Sequence, residues 1–132
     1  MRTINELCDL VRQIAYDIHV YHGHGHLEKV YENALAHRLL KFGLDVRQQF
    51  PMTVYDEDGT IIGEYKADLL VEGRLIVELK ACCGIADEHV AQILGYLKSA
   101  RMENNLLINF GSYRFQIKKY ILTDRKNQEP RK

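Results

Sequence analysis

The chain has 132 residues, the usual size of one domain, and its 18 basic and 18 acidic side chains cancel. Apolar residues make up 46% and charged residues 27%, which argues against a disordered, collagen-like or disulfide-scaffold protein. The balanced charge excludes a broad electrostatic attraction to nucleic acid or to a membrane surface, so binding of a polyanion must depend on a local patch.

Two helices are predicted at the start of the chain. Apolar residues recur every three or four positions over residues 3–22, the pattern of an amphipathic helix. A Gly/His segment at residues 22–26 interrupts this pattern, and a second helix follows over residues 27–42 and ends at Gly43. The heptad-like spacing of the first helix fits core packing, or alternatively pairing with a second copy in a homo-oligomer. Its apolar residues are Ile4, Leu7, Val11, Ile14, Ile18 and Tyr21.

Strands dominate after Gly43. Three antiparallel strands are predicted over Val46–Tyr55, Ile61–Val71 and Leu75–Leu79, because turn residues separate these apolar runs. A third helix with Asp87 as its N-cap comes next. Two further strands are predicted over residues 105–110 and 113–122, and residues 125–132 read as a polar tail. The order ααβββαββ predicts one α+β domain over residues 1–132.

The cysteines and the hydropathy pattern indicate the compartment. Cys8, Cys82 and Cys83 form no even framework, so we expect reduced thiols. No apolar stretch approaches the roughly 18 residues that span a bilayer, and the N-terminus lacks a signal-peptide core. The prediction is a cytoplasmic protein without a membrane partner.

The third strand carries charges that a central strand rarely contains. If a turn at Gly73 joins it to the second strand, Asp68 faces Glu78 and Lys66 faces Lys80 on one side of the sheet. Two carboxylates at that separation repel, and a divalent cation removes the repulsion. Carboxylate oxygens suit Mg²⁺ or Mn²⁺. The alternative is an ordinary ion-pair ladder on a solvated face of the sheet.

Polar residues also recur on the helices. Glu28 and Glu32 lie one turn apart on the second helix, and Gln92 and Tyr96 share a face of the third. His89 precedes that pair by one turn. Taken singly, each set is typical of an exposed helix surface.

Together these residues resemble a known family. The segments are Gly25-x-x-Glu28-x-x-Tyr31, then Ala67–Val71 with Asp68, then Val77–Ala81 with Glu78 and Lys80, and finally Gln92-x-x-x-Tyr96. In this order and spacing they resemble the GxxExxY family, which is similar to a branch of the PD-(D/E)XK nuclease superfamily. The resemblance runs from about His19 to Tyr120. It implies a restriction-endonuclease-like α/β/α sandwich with a mixed sheet, and Mg²⁺-dependent (or Mn²⁺-dependent) hydrolysis of DNA phosphodiester bonds.

The resemblance also implies roles for individual residues. Asp68 and Glu78 correspond to metal ligands, and Lys80 corresponds to the catalytic lysine. Glu28 and the backbone carbonyl of Leu79 complete the implied metal site. Supporting or substrate-binding roles fall on Gln92, Tyr96, Tyr31, His89 and Lys66.

The Gly/His segment departs from the family pattern, since relatives carry Leu-Gly-Pro-Gly-Leu at the place of residues 22–26. Four histidines within eight residues form a second candidate metal site, for Zn²⁺ or Ni²⁺. They are His19, His22, His24 and His26.

Two further expectations concern partners. Basic residues gather in the last third of the chain and are candidates for contacts with nucleic acid, although such runs are also typical of a solvated face. They are Arg101, Arg114, Lys118, Lys119, Arg125, Lys126, Arg131 and Lys132. The alternative function is a catalytically weak or inactive nuclease-fold module that binds nucleic acid or protein.

Overall fold

The computed structural model describes residues 1–122, apart from the side chain of Ser99. Its elements follow the predicted order ααβββαββ, and the predicted tail at residues 125–132 lies outside the described residues. The elements are α1 (Ile4–His22), α2 (Glu28–Lys41), β1 (Val46–Tyr55), β2 (Ile61–Val71), β3 (Leu75–Lys80), α3 (Asp87–Ser99), β4 (Asn104–Asn109) and β5 (Gln116–Ile121).

The five strands form one mixed sheet in the order β1-β2-β3-β4-β5. The β3–β4 pair is parallel and the other three pairs are antiparallel. Parallel neighbours need a crossover, which α3 supplies between β3 and β4. The strand β3 therefore lies in the middle of the sheet, as predicted.

Helices cover both faces of this sheet. The helices α1 and α2 pack on one face, and α3 packs on the other. On α1, Leu7, Val11 and Ile18 are at most 1% exposed, so the apolar stripe is buried within the chain and not available for pairing with a second copy. Ile4 and Ile14 of the same stripe are partly buried, and Tyr21 is 78% exposed. This arrangement confirms the predicted α/β/α sandwich.

The predicted N-cap of α3 and the predicted start of the last strand were wrong. Asp87 is the first residue of α3 and not its N-cap, because Ala86 holds the extended conformation of the cap and His89 Nδ1 accepts its N–H at 3.5 Å. The last strand begins at Gln116 and not at Tyr113, because Ser112 is held in a turn by its contacts with the segment after β3.

Two negative findings apply to the described part of the chain. Cys8, Cys82 and Cys83 form no disulfide with one another. Within residues 1–122, no helix is long and apolar enough to cross a membrane.

Candidate active site

The strands β2 and β3 separate at Asp68. Their antiparallel register has Leu69 opposite Val77, as the turn at Gly73 predicts, and the backbone pairing stops there. Beyond it, the Leu79 N–H donates to Asp68 Oδ2 at 2.8 Å, so a side chain replaces the next backbone acceptor. The strand β3 continues to pair with β4 as far as Lys80. A fork therefore opens between β2 and β3, with Asp68 at its apex.

The fork corrects one predicted pair. Lys66 does not pair with Lys80, because β2 has left β3 before that point and pairs only with β1. Lys66 lies opposite Pro51 and is exposed.

Near Asp68, the paired strands β1 and β2 also exchange the faces that they turn toward the helices. On one side of it, Val46 and Leu69 face the core beneath α1 and α2; on the other, Met52 and Ala67 face the core beneath α3. Gln49, opposite Asp68, has a φ of 52°, which is uncommon for a residue with a side chain and absorbs the change of face. Its Nε2 donates to Asp68 Oδ1 at 3.3 Å.

Glu78 is a buried acid with an unused oxygen. The residue is 5% exposed, and its Oε1 has no hydrogen-bond partner among the described residues. Burial, and then the nearby Asp68 carboxylate, raise the pKa of Glu78 to about 8. Burial also raises the pKa of Asp68. Two neighbouring acids whose ionisation is disfavoured by burial, one of them with a buried oxygen that no described residue contacts, fit a divalent cation.

The donor set fits Mg²⁺ or Mn²⁺ in particular. No three His, Cys, Asp or Glu side chains between residues 1 and 122 converge as a complete set of ligands. Mg²⁺ does not require one, because it is usually held by one or two carboxylates with water completing its shell. Asp68 and Glu78 supply that number.

A backbone oxygen also faces the fork. The Lys80 carbonyl accepts from the Phe110 N–H at 2.8 Å, so the polar backbone groups of Lys80 face β4. Successive residues of a strand point these groups to opposite sides. The backbone of Leu79 therefore faces β2, as its N–H contact with Asp68 shows, and its carbonyl lies on the same side.

The two glutamates of α2 have different surroundings. Glu28, in the first turn, is exposed as a residue, yet partial burial of its carboxyl and then the Asp68 carboxylate raise its pKa, while Lys80 lowers it. Glu32 is buried and accepts from Gln48, Gln49 and Lys29 at 2.7–2.9 Å. The charges of Asp68 and Lys80 therefore both act on Glu28, whereas Glu32 ties α2 to β1.

On α3, Tyr96 reaches the site through another residue. Its ring stacks on that of Tyr65 with centroids 4.3 Å apart and planes 7° from parallel. A side-chain hydrogen bond from Tyr65 to Glu78 lowers the pKa of the Glu78 carboxyl, whereas burial raises it. Gln92 is exposed on the same helix, and His89, at its start, is half-buried.

Sequence reasoning missed Tyr65 for a physical reason. Strict alternation along β2 assigns Tyr65 and Asp68 to opposite faces of the sheet. The change of face at Asp68 instead brings Tyr65 into the core beneath α3, next to Glu78. The sequence of β2 does not predict that change, because the residue with the unusual φ is Gln49, which lies on β1.

Tyr31 lies behind the site and orders the segment before Glu28. It is 1% exposed, and its ring stacks on Phe110 with centroids 4.6 Å apart. Its hydroxyl donates to the Gly23 carbonyl at 2.7 Å and accepts from the His26 N–H at 3.1 Å. The structure thus connects Tyr31 to the Gly/His segment.

Removing this hydroxyl tests its importance. Tyr31→Phe is expected to lower the free energy of unfolding by about 1–2 kcal/mol, because two backbone groups lose their partner while the ring stack is kept. Urea denaturation measures the change, with Tyr16→Phe on the exposed side of α1 as the control. Equal stability of Tyr31→Phe and wild type would contradict the assignment.

The four histidines do not converge. His19 is buried, and its Nε2 is 2.9 Å from the Ser112 carbonyl. His22 contacts His26 with ring centroids 5.7 Å apart, whereas His24 contacts Tyr113. In the described region these imidazoles belong to no set of three metal-ligating side chains. The geometry therefore does not assemble the predicted Zn²⁺ or Ni²⁺ site.

The raised pKa of Glu78 predicts how stability depends on pH without metal. Between its ordinary value of 4.5 and about 8, the folded protein keeps a proton that the unfolded chain releases. The free energy of unfolding is therefore expected to fall by a few kcal/mol as the pH rises through this window, and Asp68 acts in the same direction. Urea denaturation in EDTA measures it. Glu78→Gln should flatten the profile, and a wild-type stability that rises across this window would contradict the prediction.

Comparison with known proteins identifies the family. A model of the PD-(D/E)XK nuclease superfamily matches residues 5–120. The crystal structure of SSO0001 is similar in fold, with a TM-score of 0.56 and 14% sequence identity over 76% of this chain. The match covers 52% of SSO0001, so the chain spans about half the length of that protein. No curated protein matches the chain. The family match extends over most of the sequence, including every element of the fork, and the chain therefore belongs to the PD-(D/E)XK nuclease superfamily.

Proposed function

We propose that this chain is a Mg²⁺-dependent or Mn²⁺-dependent nuclease that hydrolyses phosphodiester bonds of DNA, and that it belongs to the GxxExxY branch of its superfamily. The observation that carries the proposal is the pair of acids at the fork. Burial raises the pKa of both acids, the Asp68 carboxylate raises that of Glu78 further, and the buried Glu78 Oε1 has no hydrogen-bond partner in the part of the chain that the structure describes. The superfamily match supports nuclease activity in general.

In this proposal the metal is held by Asp68, Glu78 and the carbonyl of Leu79. Glu28 reaches it directly or through water, which agrees with the electrostatic coupling between Glu28 and Asp68. When bound, the divalent ion neutralises charge on a phosphate and makes a water molecule more acidic.

Lys80 has the second chemical role. The residue is half-buried, and its ammonium group either orients the attacking water or stabilises the charge that develops on the phosphoryl oxygens. Its backbone is fixed by the bond between its carbonyl and the Phe110 N–H, so the side chain starts from a rigid position. The Lys80 charge also lowers the pKa of Glu28, so the two side chains interact electrostatically.

The remaining residues support binding. Gln92 and Lys66 are exposed and are proposed to contact phosphate oxygens. Tyr96 supports Glu78 through the stacked Tyr65 ring. His89 holds the start of α3 by accepting from the Ala86 N–H, and this helix carries both Gln92 and Tyr96.

A cleavage assay tests the proposal. Wild type should cut single-stranded, duplex or branched DNA with Mg²⁺ or Mn²⁺ and should be inactive in EDTA. Lys80→Ala is expected to lower the rate about a hundred-fold or more, because it removes a charge aimed at the reacting groups. Lys41→Ala, at the far end of α2 from Glu28, is the matched control and should retain the wild-type rate.

The same assay can overturn the proposal. Equal rates for wild type and Lys80→Ala would contradict a role for the lysine. A wild type that binds nucleic acid but cleaves none of the substrates with either metal would favour the alternative, a non-catalytic nuclease-fold module.

A further inference from the structure

The Gly/His segment and the turn after β4 form one exposed surface, which we call the aromatic rim and define as His22, His24, His26 and Tyr113. The rings of His24 and Tyr113 meet edge to face with centroids 6.0 Å apart and planes at 89°. This contact joins two segments that are distant in sequence. His22 and His26 meet in the same way at 5.7 Å.

Both halves of the rim are anchored to the fold. The Tyr31 hydroxyl holds Gly23 and His26. On the other side, the Ser112 carbonyl lies 2.9 Å from His19 Nε2, and the Ser112 hydroxyl donates to the Cys83 carbonyl at 3.1 Å. These contacts keep the rim in place although its rings are exposed.

The anchors also place the rim beside the candidate active site. The Gly/His segment leads directly into α2, which begins at Glu28. Cys83, the partner of Ser112, belongs to the segment that leaves β3 just after Lys80. The rim therefore lies at the same end of the fold as Glu28, the first residue of α2, and Lys80, the last residue of β3.

The chemistry of the rim suits bases and phosphates. Tyr113 is 85% exposed, and its neighbour Arg114 is also exposed. Residues 21–27 and 111–115 contain no Asp or Glu, in contrast to the acidic fork beside them. An exposed tyrosine is ordinary by itself, but two pairs of exposed aromatic rings, one of them next to an arginine, resemble the stacking platforms of single-strand binding proteins.

We propose that the aromatic rim stacks unpaired nucleobases, so that the substrate is single-stranded nucleic acid or a frayed end. This inference rests on the proposed function, because stacking at the rim would bring the adjoining phosphates toward Asp68 and Glu78. A duplex keeps its bases stacked inside and offers only its backbone and groove edges, so the rings would contribute little to its binding.

Fluorescence anisotropy in EDTA tests this without cleavage. The probes are labelled single-stranded and duplex oligonucleotides of the same sequence. Each is made as DNA and as RNA, so that the comparison shows which of the two nucleic acids supplies the stacked bases. Tyr113→Ala is expected to weaken single-strand binding about ten-fold, the usual effect of losing one stacked base. Tyr113→Phe keeps the ring and should bind like wild type. The matched control is Tyr55→Ala, which removes an exposed tyrosine from the β1–β2 hairpin and should change nothing.

Several results would overturn the inference. They are single-strand binding by Tyr113→Ala equal to that of wild type, an equal loss on the duplex, and a wild type that does not bind single strands at all. The outcome is separable from that of the cleavage assay. A selective loss of single-strand binding in Tyr113→Ala together with an inactive wild type would support the rim and reject the nuclease. An active wild type together with unchanged single-strand binding in Tyr113→Ala would support the nuclease and reject the rim.

Discussion

Glu78→Gln is expected to lower nuclease activity at least a hundred-fold, while the metal-free protein at pH 8 becomes more stable than wild type. The activity falls because a neutral amide is a poor ligand for a hard divalent cation. The stability rises because the amide is uncharged, so the cost of ionising a buried acid beside Asp68 disappears. Opposite signs for activity and stability are the signature of an acid kept for function.

Cleavage rates with Mg²⁺ and urea denaturation in EDTA measure the two effects on the same preparation. Glu64→Gln removes an exposed acid from β2 and is the matched control, which should leave both quantities near the wild-type values. A Glu78→Gln protein that keeps wild-type activity would show that the buried acid does not take part in the reaction.

Gly111→Ala is expected to cost about 3 kcal/mol of stability or more, the range of a severe steric clash in the core. A Cβ at Gly111 would lie 2.2 Å from Cys82 N and 2.3 Å from the carbonyl carbon of Ala81. These are backbone atoms, which cannot rotate away. Asn109 holds these two backbone segments together, because its Oδ1 accepts from the N–H groups of Cys82 and Gly111 at 3.1 and 3.0 Å.

Urea denaturation of Gly111→Ala measures this cost, with Gly95→Ala as the control. A Cβ at Gly95 meets nothing within 4 Å, and alanine is favoured over glycine in a helix, so the control should be as stable as wild type or up to about 1 kcal/mol more stable. If Gly111→Ala unfolded at the same urea concentration as the control, the close approach of the two backbones would be refuted.

Much of the fold could be predicted because it depends on local patterns. The spacing of apolar residues gave both N-terminal helices to within a residue or two, and the turn at Gly73 fixed the register of Leu69 against Val77. That register also brought Asp68 next to Glu78, since cross-strand neighbours follow from the position of the turn alone.

The parts that escaped prediction depend on contacts between distant segments. Lys66 was expected opposite Lys80, but the strands separate where the Asp68 side chain takes a backbone N–H. Tyr65 was missed because β1 and β2 exchange faces at Gln49. The spacing of the histidines predicted a metal site. In the structure, however, His19 Nε2 contacts the carbonyl of Ser112, which lies 93 positions later in the chain.

A Mn²⁺ titration followed by electron paramagnetic resonance, supported by calorimetry, tests the central claim most directly. It compares wild type with Asp68→Asn, and Glu64→Gln is the control. We predict one ion per chain in wild type and in the control, and a loss of binding in Asp68→Asn. Equal Mn²⁺ binding by wild type and Asp68→Asn, or no binding by wild type, would contradict a metal site at the fork between β2 and β3.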